Sequence, residues 1–296
     1  MDISVIIINY HSSEYTIKCI NSIIEQTKEI NYELIIVDNN SNKKDLKRLE
    51  DFTKNKKIML VKSKINLGFG AGNMFGAQYA TGNYLAFLNN DVILIENSLQ
   101  ILFDFLKNNK RIGLVGPNQI TENNAFFKQS YSHYNSVHNI PFTEKNSTKH
   151  YTRLYGKEKL KTPFKVDLVS GAFMLFKLEA FNSINGFDQN IFLFYEEIDV
   201  STRLSKKDYD TYFHPNTTFI HYQGKSSGNT DLKIEYLVSY LYIIQKNYSY
   251  LKFKYLKTLT QLRLLFKSIS RPKYFKLLLL SLKSGNSLSY SKRVKN

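Results

Sequence analysis

Short apolar runs alternate with segments of helical periodicity along the first half of the chain. Continuous runs of strand length lie at Ile3–Asn9, Glu33–Val37, Ile58–Val61 and Tyr84–Leu88. Uninterrupted Val, Ile and Leu are typical of parallel strands that are buried on both faces. The order strand, helix, strand, helix therefore predicts an α/β domain with a mostly parallel, Rossmann-like sheet and helices on both of its faces.

Two helices are predicted between the first three strands. The first begins near Ser12 or Ser13, either of which can cap it, and a second, polar helix covers Lys43–Lys54. One apolar stripe of the first helix is expected to face the sheet. This stripe consists of Ile17, Ile20, Ile23 and Ile24.

The stretch Asn66–Asp91 organises the predicted domain. A glycine-rich loop, Gly68–Gly72, leads into a helix of small residues, and a strand follows that stops at Asn89-Asn90-Asp91. Glycine lets a backbone approach a ligand closely because it has no Cβ. An acid at the carboxyl end of a buried strand lies where open α/β sheets bind ligands. A plain loop and a tightly packed helix are the alternative interpretation.

Polar residues end three of the predicted strands, namely Asn9 with Tyr10, then Asp38, and then Asp91. The carboxyl ends of parallel strands share one edge of a sheet, so we expect a site there. Asp38 can accept a hydrogen bond from a nucleobase imide, and Asp91 can bind a divalent cation, which prefers oxygen ligands. A simple turn-forming role for Asp38 is the alternative.

The second half of the chain shows weaker patterns. A helix around Leu99–Leu106 and a strand at Ile112–Val115 are predicted, but residues 117–163 lack clear periodicity and no elements are predicted there. Hydrophobic order returns at Val166–Phe176, where Gly171 lets a backbone approach a ligand. The remaining predicted features are a turn at 185–188, a short helix ending at Lys206, a strand at Thr211–His214, and a loop with His221 and Gly224.

Three acids, Glu196, Glu197 and Asp199, fall within four residues at the start of the predicted short helix. Adjacent carboxylates raise each other's pKa, and a carboxylate with a raised pKa can act as a general base. The alternative is a helix whose first turn carries acids because the helix dipole favours them there.

The positive charge is concentrated at the end of the chain. The 41 Lys and Arg outnumber the 25 Asp and Glu, and residues 231–296 hold fourteen basic residues against two acids, or +12 of the net +16. A nearly neutral body disfavours nucleic-acid binding, which usually uses a basic face. The single cysteine, Cys19, excludes a disulfide framework, and no secretory signal follows Met1, so a cytoplasmic location is expected.

Residues 1–230 are predicted to form a catalytic domain. Residues 231–296, which follow it in the chain, are predicted to form a basic amphipathic helical tail. The apolar runs of the tail are too short to span a membrane, so we expect them to lie on an anionic membrane surface. A helical subdomain packed on the body, with a solvated basic face, is the alternative. The predicted apolar face comprises Leu259, Leu262, Leu265, Phe266 and Ile269.

Dinucleotide and P-loop fingerprints are missing from the sequence. Glycines at 68, 70, 72 and 76, with Asn73 between the last two, do not match Gly-x-Gly-x-x-Gly, and no Gly-Lys-Ser/Thr loop occurs. A hydride-transfer enzyme is therefore not expected.

Six stretches, in order and spacing across residues 1–227, resemble the family 2 glycosyltransferases with the GT-A fold, in particular the bacterial rhamnosyltransferase-like branch. The combination is specific, although each stretch alone is not. The stretches are Ser4–Tyr10, Ile35–Ser41, Asn66–Asp91, Val166–Phe176, Gly186–Leu204 and His221–Ser227.

The resemblance implies an inverting sugar transfer from a nucleotide diphosphate donor to an acceptor hydroxyl, with Mg²⁺ or Mn²⁺ on the diphosphate. It implies that Asp38 contacts the base and that Asp91 and His221 bind the cation. Glu197 matches the catalytic-base position, with Glu196 beside it. The positions expected to line the nucleotide-sugar pocket are Asn9, Tyr10, Asn66, Gly68, Asn73, Asn90 and Gly171.

The chain departs from the family pattern at two places. Asn89-Asn90-Asp91 stands where the family usually has Asp-x-Asp or Asn-Pro-Asp. A glutamate stands where the base is usually aspartate, so the choice between Glu196 and Glu197 stays open.

By analogy with the branch, the expected reaction moves L-rhamnose from dTDP-rhamnose to a lipid-linked glycan in bacterial cell-surface polysaccharide synthesis, at the inner face of the membrane. A nucleic-acid-binding basic protein is one alternative, and it predicts a salt-dependent gel shift. A non-catalytic sugar-nucleotide binder or membrane scaffold is another, and it predicts that Glu197→Gln leaves function intact.

Overall fold

The computed structural model describes residues 1–123, 130–132, 161–222, 232–283 and 287–292. The strands in these residues are β1 (Ile3–Asn9), β2 (Tyr32–Asp38), β3 (Ile58–Lys62), β4 (Tyr84–Asn89), β5 (Val92–Leu94), β6 (Ile112–Ile120), β7 (Tyr131–Ser132), β8 (Phe164–Val166), β9 (Leu168–Val169), β10 (Phe173–Lys177) and β11 (Asp210–His221). The helices are α1 (Ser13–Gln26), α2 (Lys43–Thr53), α3 (Gly68–Ala77), α4 (Ser98–Lys107), α5 (Leu178–Ser183), α6 (Glu196–Ser205), α7 (Leu232–Asn247), α8 (Tyr250–Ser270) and α9 (Phe275–Leu282), with 3₁₀ turns at Pro272–Tyr274 and Ser287–Tyr290.

One mixed sheet has the order β3-β2-β1-β4-β10-β6-β11-β5, with β8 paired to β11 and β7 paired to β9 apart from it. Its first four strands are parallel, as the alternating pattern predicts. β10 runs antiparallel to both β4 and β6. The start of β10 therefore lies at the same edge of the sheet as the carboxyl ends of β1, β2 and β4.

The two faces of the sheet bury separate cores. Ile3, Val5 and Ile7 of β1 face the core that α1 and α4 cover, whereas Ile6 faces a core containing Phe87 and its neighbours on the other side. This alternation explains why β1 is an uninterrupted apolar run. Aromatic rings pack edge to face in the second core, mainly Phe87, Phe176, Phe181 and Phe187.

Three local expectations about α1 and α3 need correction. Ile24 is 45% exposed, because the buried face of α1 runs through Thr16, Cys19, Ile20 and Ile23 instead. Ser12 is the N-cap residue, but its side chain makes no capping bond. The glycine-rich segment is helical from Gly68 onward rather than a loop before a helix.

The strand predicted at Thr211–His214 is longer, and its end forms part of the site. β11 continues to His221, which places that histidine at a strand end and not in a loop. The register on β6 shifts between His214 and Thr218, and Pro215, which has no backbone N–H to donate, falls within this irregularity. Gly224 lies outside the described residues.

The tail begins with a helix that packs on the body. Ile191 and Tyr195 share a hydrophobic cluster with residues of α7, α8 and α9, such as Leu237 and Leu264. Lys246 of α7 forms ion pairs with two acids of the body, Asp188 and Asp199, at 2.7 Å each. Among the described helices, each is too short or too polar to cross a membrane.

Candidate active site

Asn9, at the end of β1, is the centre of a buried hydrogen-bond network. Its Nδ2 lies 3.0 Å from Asp38 Oδ1, 2.9 Å from Ser41 Oγ and 3.0 Å from Asp45 Oδ2. Its Oδ1 accepts a hydrogen bond from Thr16 Oγ1 at 2.8 Å. Both polar atoms of the amide are thus bound within the protein, and Asn9 holds the neighbouring strand end and helices in place.

Asp38 lies directly opposite Asn9 in the register of β1 and β2. It is 1% exposed, and its Oδ2 accepts the Ser41 backbone N–H at 3.0 Å. This is turn-forming geometry, although a carboxylate has room for about four hydrogen bonds. The predicted contact to a nucleobase stays a prediction. Tyr10, 37% exposed, is an accessible side chain at this edge.

The segment before α3 is fastened by Asn39, a residue that the sequence patterns did not single out. Asn39 Nδ2 donates to Asn66 Oδ1 at 3.0 Å and to the Gly68 carbonyl at 3.1 Å. Its Oδ1 accepts the Leu67 N–H at 2.9 Å, and Asn66 Oδ1 also accepts the Gly68 N–H at 2.9 Å. Asn66 and Gly68 therefore fix the start of α3, and the side chain of Asn66 is bound within the protein.

Gly68 is required by its backbone and by its neighbour. Its φ is +78°, a region that favours glycine, and a Cβ there would lie 2.2 Å from the Phe192 carbonyl oxygen. The next residue, Phe69, donates its N–H to the same oxygen at 2.8 Å. The glycine thus serves close packing of α3 against the segment that leads to the acid pair Glu196 and Glu197.

Asn73 on α3 carries an unsatisfied group. The side chain is 1% exposed, and its Oδ1 has no hydrogen-bond partner among the described residues. Leaving a buried acceptor unpaired costs roughly 1–3 kcal/mol. Of the positions expected to line the nucleotide pocket, Asn73 is the one whose geometry leaves an acceptor ready for a donor group.

Asn90 and Asp91, just after β4, have different roles. Asn90 Nδ2 donates to Ser12 Oγ at 2.5 Å and to Thr16 Oγ1 at 2.9 Å, so this amide anchors the start of α1. Asp91 Oδ1 lies 3.0 Å from His221 Nε2, at the end of β11. The acid predicted to bind a cation and the histidine predicted to join it, 130 residues apart in the chain, are thus in direct contact.

The His221 ring is oriented from behind by Gln119 and Ser170. Gln119 Nε2 lies 2.9 Å from His221 Nδ1, and Ser170 Oγ donates to Gln119 Oε1 at 2.8 Å. This contact fixes the orientation of the ring, and Nε2 faces Asp91 whichever ring nitrogen carries the proton. Sequence patterns gave no signal for Gln119, because it lies in the segment without periodicity.

Asp91 and His221 fit the requirements of a divalent cation. A carboxylate oxygen and an imidazole nitrogen directed at each other can each donate an electron pair to one metal ion, in the tautomer that carries the imidazole proton on Nδ1. No cluster of three or more His, Cys, Asp or Glu suited to a metal occurs in the described residues. A two-ligand site suits Mg²⁺ or Mn²⁺, since such ions take their remaining ligands from water and substrate phosphates.

The acid pair begins α6 after two residues with unusual backbone angles. Phe194 and Tyr195 have φ of 74° and 73°, which non-glycine residues rarely adopt, and such strain concentrates at functional sites. Glu196 is 5% exposed and its Oε1 has no partner in the described part of the chain, whereas Glu197 is only partly buried.

Both carboxyls of the acid pair have raised pKa values, and the neighbouring carboxylate contributes only to that of Glu196. Burial raises the pKa of Glu196 most, and the charges of Glu197 and Glu235 raise it further. Burial also raises the pKa of Glu197. The third acid of the cluster differs, because Asp199 is fully buried and pairs with Arg203 at 2.5 Å and with Lys246 at 2.7 Å. Asp199 is a structural ion-pair residue.

Glu197 lies close to Gly171, in the same part of the fold as the Asp91–His221 pair. A side chain at Gly171 would begin 3.8 Å from Glu197 Oε2. Gly171 follows Ser170, which holds Gln119, and the next residue, Ala172, accepts the Asn89 N–H at 2.9 Å. Glu197, His221 and the end of β4 therefore lie at one edge of the sheet, where Asn9 and Asp38 also lie.

The sequence of this region matches known proteins. The family model described as glycosyl transferase family 2 matches residues 4–184. An uncharacterized glycosyltransferase of Methanocaldococcus jannaschii is 33% identical over 115 residues, covering 38% of this chain and 40% of that protein. The N-acetylglucosaminyl-diphospho-decaprenol L-rhamnosyltransferase of Mycobacterium tuberculosis is 24% identical over 189 residues, or 58% of this chain and 61% of that one. The chain spans 40%, 16% and 34% of the first three curated relatives.

The fold also matches solved structures. GalNAc-T7 with UDP, GalNAc and Mn²⁺ has a TM-score of 0.64 at 18% identity, covering 83% of this chain and 48% of that one. A mannosyltransferase of Pyrobaculum calidifontis in complex with GDP-Man and Mn²⁺ has a TM-score of 0.56 at 14% identity, covering 97% and 77%. At identities this low, the structural likeness is one of fold alone, the GT-A fold. Because the family model matches more than half of its residues, the chain belongs to glycosyl transferase family 2.

Proposed function

We propose that this glycosyltransferase transfers a sugar from a nucleotide diphosphate donor to a hydroxyl of a lipid-linked glycan, with inversion at the anomeric carbon. One observation carries the proposal: Glu197, partly buried beside Gly171, lies at the same sheet edge as the Asp91–His221 pair. A base and a diphosphate-binding group are thereby available to a single substrate complex.

The donor side follows from the residues that remain accessible or unsatisfied. Tyr10 is exposed beside the strand ends and can stack on or cover a nucleobase, while Asp38 stays the predicted acceptor for its imide. Asn73 Oδ1 can accept a hydrogen bond from a donor hydroxyl. Asn9, Asn66 and Asn90 support this pocket by fixing its walls, since their side chains are bound within the protein.

Asp91 and His221 would hold Mg²⁺ or Mn²⁺ on the diphosphate. When bound, the cation neutralises the charge that develops on the leaving nucleotide diphosphate. Gln119 keeps the imidazole in the orientation that this binding needs. Two structural neighbours with Mn²⁺ support the choice of cation class.

Glu197 is the proposed general base. Its pKa is raised by burial, which makes it a stronger proton acceptor than an ordinary carboxylate as long as the pH exceeds that pKa. Glu196 is more deeply buried and its pKa is raised well above the usual value, so it is the member of the pair that is harder to ionise. A single base suffices, because an inverting transfer forms no covalent enzyme intermediate.

The sugar and acceptor are proposed from relatives and from the tail. The mycobacterial relative is an L-rhamnosyltransferase whose name includes a diphospho-decaprenol acceptor, which supports dTDP-rhamnose and a lipid-linked glycan. A basic tail with +12 net charge supports work at the inner face of a membrane, peripheral and cytoplasmic.

A donor panel tests the proposal. Nucleotide release from dTDP-rhamnose, UDP sugars and GDP-mannose is measured with a polyprenyl-diphosphate-linked sugar as acceptor, with Mg²⁺, with Mn²⁺ and with a chelator. We expect one donor to be strongly preferred, turnover to need the metal, and Asp91→Ala to abolish turnover while the circular dichroism spectrum stays unchanged. Product anomers opposite to the donor confirm inversion. Unchanged turnover in Asp91→Ala would refute the metal role.

A further inference from the structure

The first helix of the tail faces the segment that carries the acid pair. Ser239, Tyr242 and Lys246 of α7 are spaced three and four residues apart, so they lie on one side of the helix. The side chain of each binds residues 188–199, here called the acid-pair segment. This polar face of α7 is therefore in direct contact with the segment in which the proposed base lies.

Lys246 binds both ends of the acid-pair segment. Its Nζ lies 2.7 Å from Asp188 Oδ2 and 2.7 Å from Asp199 Oδ1. The other oxygen of Asp199, which is fully buried, accepts a hydrogen bond from Arg203 Nε at 2.8 Å. Buried carboxylates depend on such partners, because removing one leaves an uncompensated charge away from water. Lys246 thus fixes the two ends of the segment relative to each other.

Asp188 is held in its charged form at the first of these ends. Tyr242 donates its hydroxyl to Asp188 Oδ2 at 2.8 Å, and the Asn190 N–H donates to Oδ1 at 2.9 Å. Burial raises the pKa of Asp188, but hydrogen bonds, led by that of Lys246, lower the pKa overall. The contact between Lys246 and Asp188 is therefore an ion pair that the surroundings maintain.

The middle of the acid-pair segment is strained and is also bound by α7. Ser239, which is fully buried, donates its hydroxyl to the Leu193 carbonyl at 2.8 Å. Phe194 and Tyr195 follow with φ of 74° and 73°. The ring of Tyr195 packs on that of Tyr236 of α7, with centroids 4.8 Å apart. Strained backbone persists only where its surroundings over-determine it, and α7 supplies part of those surroundings.

The position of Glu197 depends on this arrangement. Asp199 follows Glu197 by two residues in the first turn of α6, so the bond from Lys246 to Asp199 holds the turn that carries Glu197. A Cβ at Gly171 would lie 3.8 Å from Glu197 Oε2, which shows how closely the carboxyl approaches the sheet edge. A displacement of about 1 Å at a reacting group can lower a rate about a hundredfold.

We propose that the polar face of α7 positions Glu197 for the transfer step, with Lys246 as its principal positioning residue. The first tail helix then belongs to the catalytic unit and does more than bind a membrane. The proposal rests on the proposed function, because it takes Glu197 as the general base. It adds the residues that keep this base in place. An ion pair that only stabilises the fold is the competing explanation.

Steady-state kinetics with a water-soluble acceptor analogue test the proposal. Lys246→Met should lower kcat roughly tenfold to a hundredfold, while the KM for the donor stays within about twofold of the wild-type value. Lys246→Arg, which keeps the charge, should retain most of kcat. Circular dichroism at the assay temperature gives the folded fraction of each variant. A wild-type kcat per folded molecule in Lys246→Met overturns the proposal, as does an equal loss in the Arg and Met variants.

Two further variants keep this test decisive. Lys254→Met removes one charge from an exposed position of α8 and should leave kcat as in wild type, and a loss equal to that of Lys246→Met overturns the proposal. Tyr242→Phe removes only the hydroxyl that binds Asp188 and should lower kcat by a smaller factor. If Lys246→Met does not fold, Tyr242→Phe decides, and a wild-type kcat in it overturns the proposal.

Amide hydrogen exchange separates this proposal from the proposed function, because it needs no turnover. Peptides that cover residues 188–199 should exchange about tenfold faster in Lys246→Met than in wild type, and at the wild-type rate in Lys254→Met. Unchanged exchange in Lys246→Met overturns the positioning role whether or not the enzyme turns over. If wild type releases no nucleotide from any donor, the proposed function fails, and faster exchange in Lys246→Met still shows that α7 holds the segment. If wild type turns over and Lys246→Met does so equally, the transferase proposal stands and the positioning role is wrong.

Discussion

Two sets of polar residues at the same sheet edge differ in how far the protein satisfies them. The strand-end network of Asn9, Thr16, Asp38, Asp45 and Asn90 is buried or partly buried and hydrogen-bonded internally. The acid pair, Glu196 and Glu197, is held with raised pKa values, and Glu196 keeps an oxygen without a partner in the described chain.

The difference distinguishes residues that stabilise the fold from carboxyl groups that are suited to proton transfer. A fully satisfied buried network is rigid and stabilises one arrangement of strands and helices. A carboxyl deprived of partners is costly to ionise, and this cost is what tunes it for proton transfer. The Asp91–His221 pair lies between these cases, since its members bind each other and are oriented by Gln119.

The largest expected effect comes from Glu197→Gln. Without the proposed base, turnover should fall roughly a hundredfold to ten-thousandfold, while the donor still binds. Glu197→Asp, which retains the carboxylate on a shorter side chain, should lose less. Measurements of kcat for both variants, together with donor affinity by calorimetry, test this assignment. A variant Glu197→Gln with wild-type kcat would move the base elsewhere and remove the contrast between the two sets.

The pH profile of wild-type kcat sharpens the same assignment. Glu197 must be deprotonated to act, and burial raises its pKa above the usual carboxyl value. Activity should therefore fall as the pH drops through that raised pKa, at a higher pH than an ordinary glutamate would give. An acid limb at the ordinary carboxyl pKa would contradict the assignment.

Gln119→Leu should have the next largest effect. Loss of the amide that orients His221 should weaken Mn²⁺ affinity about tenfold or more, because partners behind a metal ligand have effects of this size. Isothermal titration with Mn²⁺ measures it. Gln100→Leu, the same change on α4 where Gln100 bonds Asp104, is the control and should leave Mn²⁺ affinity as in wild type. If Gln119→Leu binds Mn²⁺ as tightly as the wild type does, Gln119 has no role in metal binding.

Asn9→Leu tests the supporting role of the strand-end network. The change leaves the carboxylates of Asp38 and Asp45 without the amide, so the free energy of unfolding should fall by roughly 2–4 kcal/mol. Urea denaturation measures this loss. Asn31→Ala, at an exposed position outside the network, should change stability by less than about 0.5 kcal/mol. A fall in turnover without any loss of stability would instead make Asn9 a substrate-binding residue.

Glu196→Gln gives the smallest expected effect. The pKa of Glu196 is raised on folding, so its contribution to stability is fully present below the unfolded-state pKa and is lost as the pH rises through the folded-state value. Wild-type stability should therefore decline over this pH window, and Glu196→Gln should flatten the decline. Chemical denaturation at several pH values measures both proteins. If the free energy of unfolding depends on pH in the same way in both proteins, Glu196 is not the acid whose pKa is raised on folding.

Much of the fold follows from patterns that are local in the chain. The apolar runs of β1, β2 and β4 and the polar residues that end them are visible as letters, because a buried parallel strand needs side chains on both faces to be apolar. The acid pair was also visible in the sequence, because Glu196 and Glu197 are adjacent in the chain. Predicted membership in family 2 of the glycosyltransferases is confirmed by the family model.

The sequence did not reveal which polar residues the protein satisfies internally. Asn9 and Asn90 were expected in the donor pocket, yet each binds groups from helices and turns far along the chain. Gln119 and Ser170 gave no signal because their partner His221 is reached only through the pairing of β6 and β11. The packing of α7 on the acid-pair segment likewise depends on long-range contacts.

The sequence by itself therefore determined the strands, their polar ends and the chemical types available at one edge. The tertiary structure decided which of those groups are bound by the protein and which are left with raised pKa values or open acceptors. The physical reason is that periodicity records the burial of each segment on its own, whereas hydrogen bonding and desolvation depend on which distant segments are brought together.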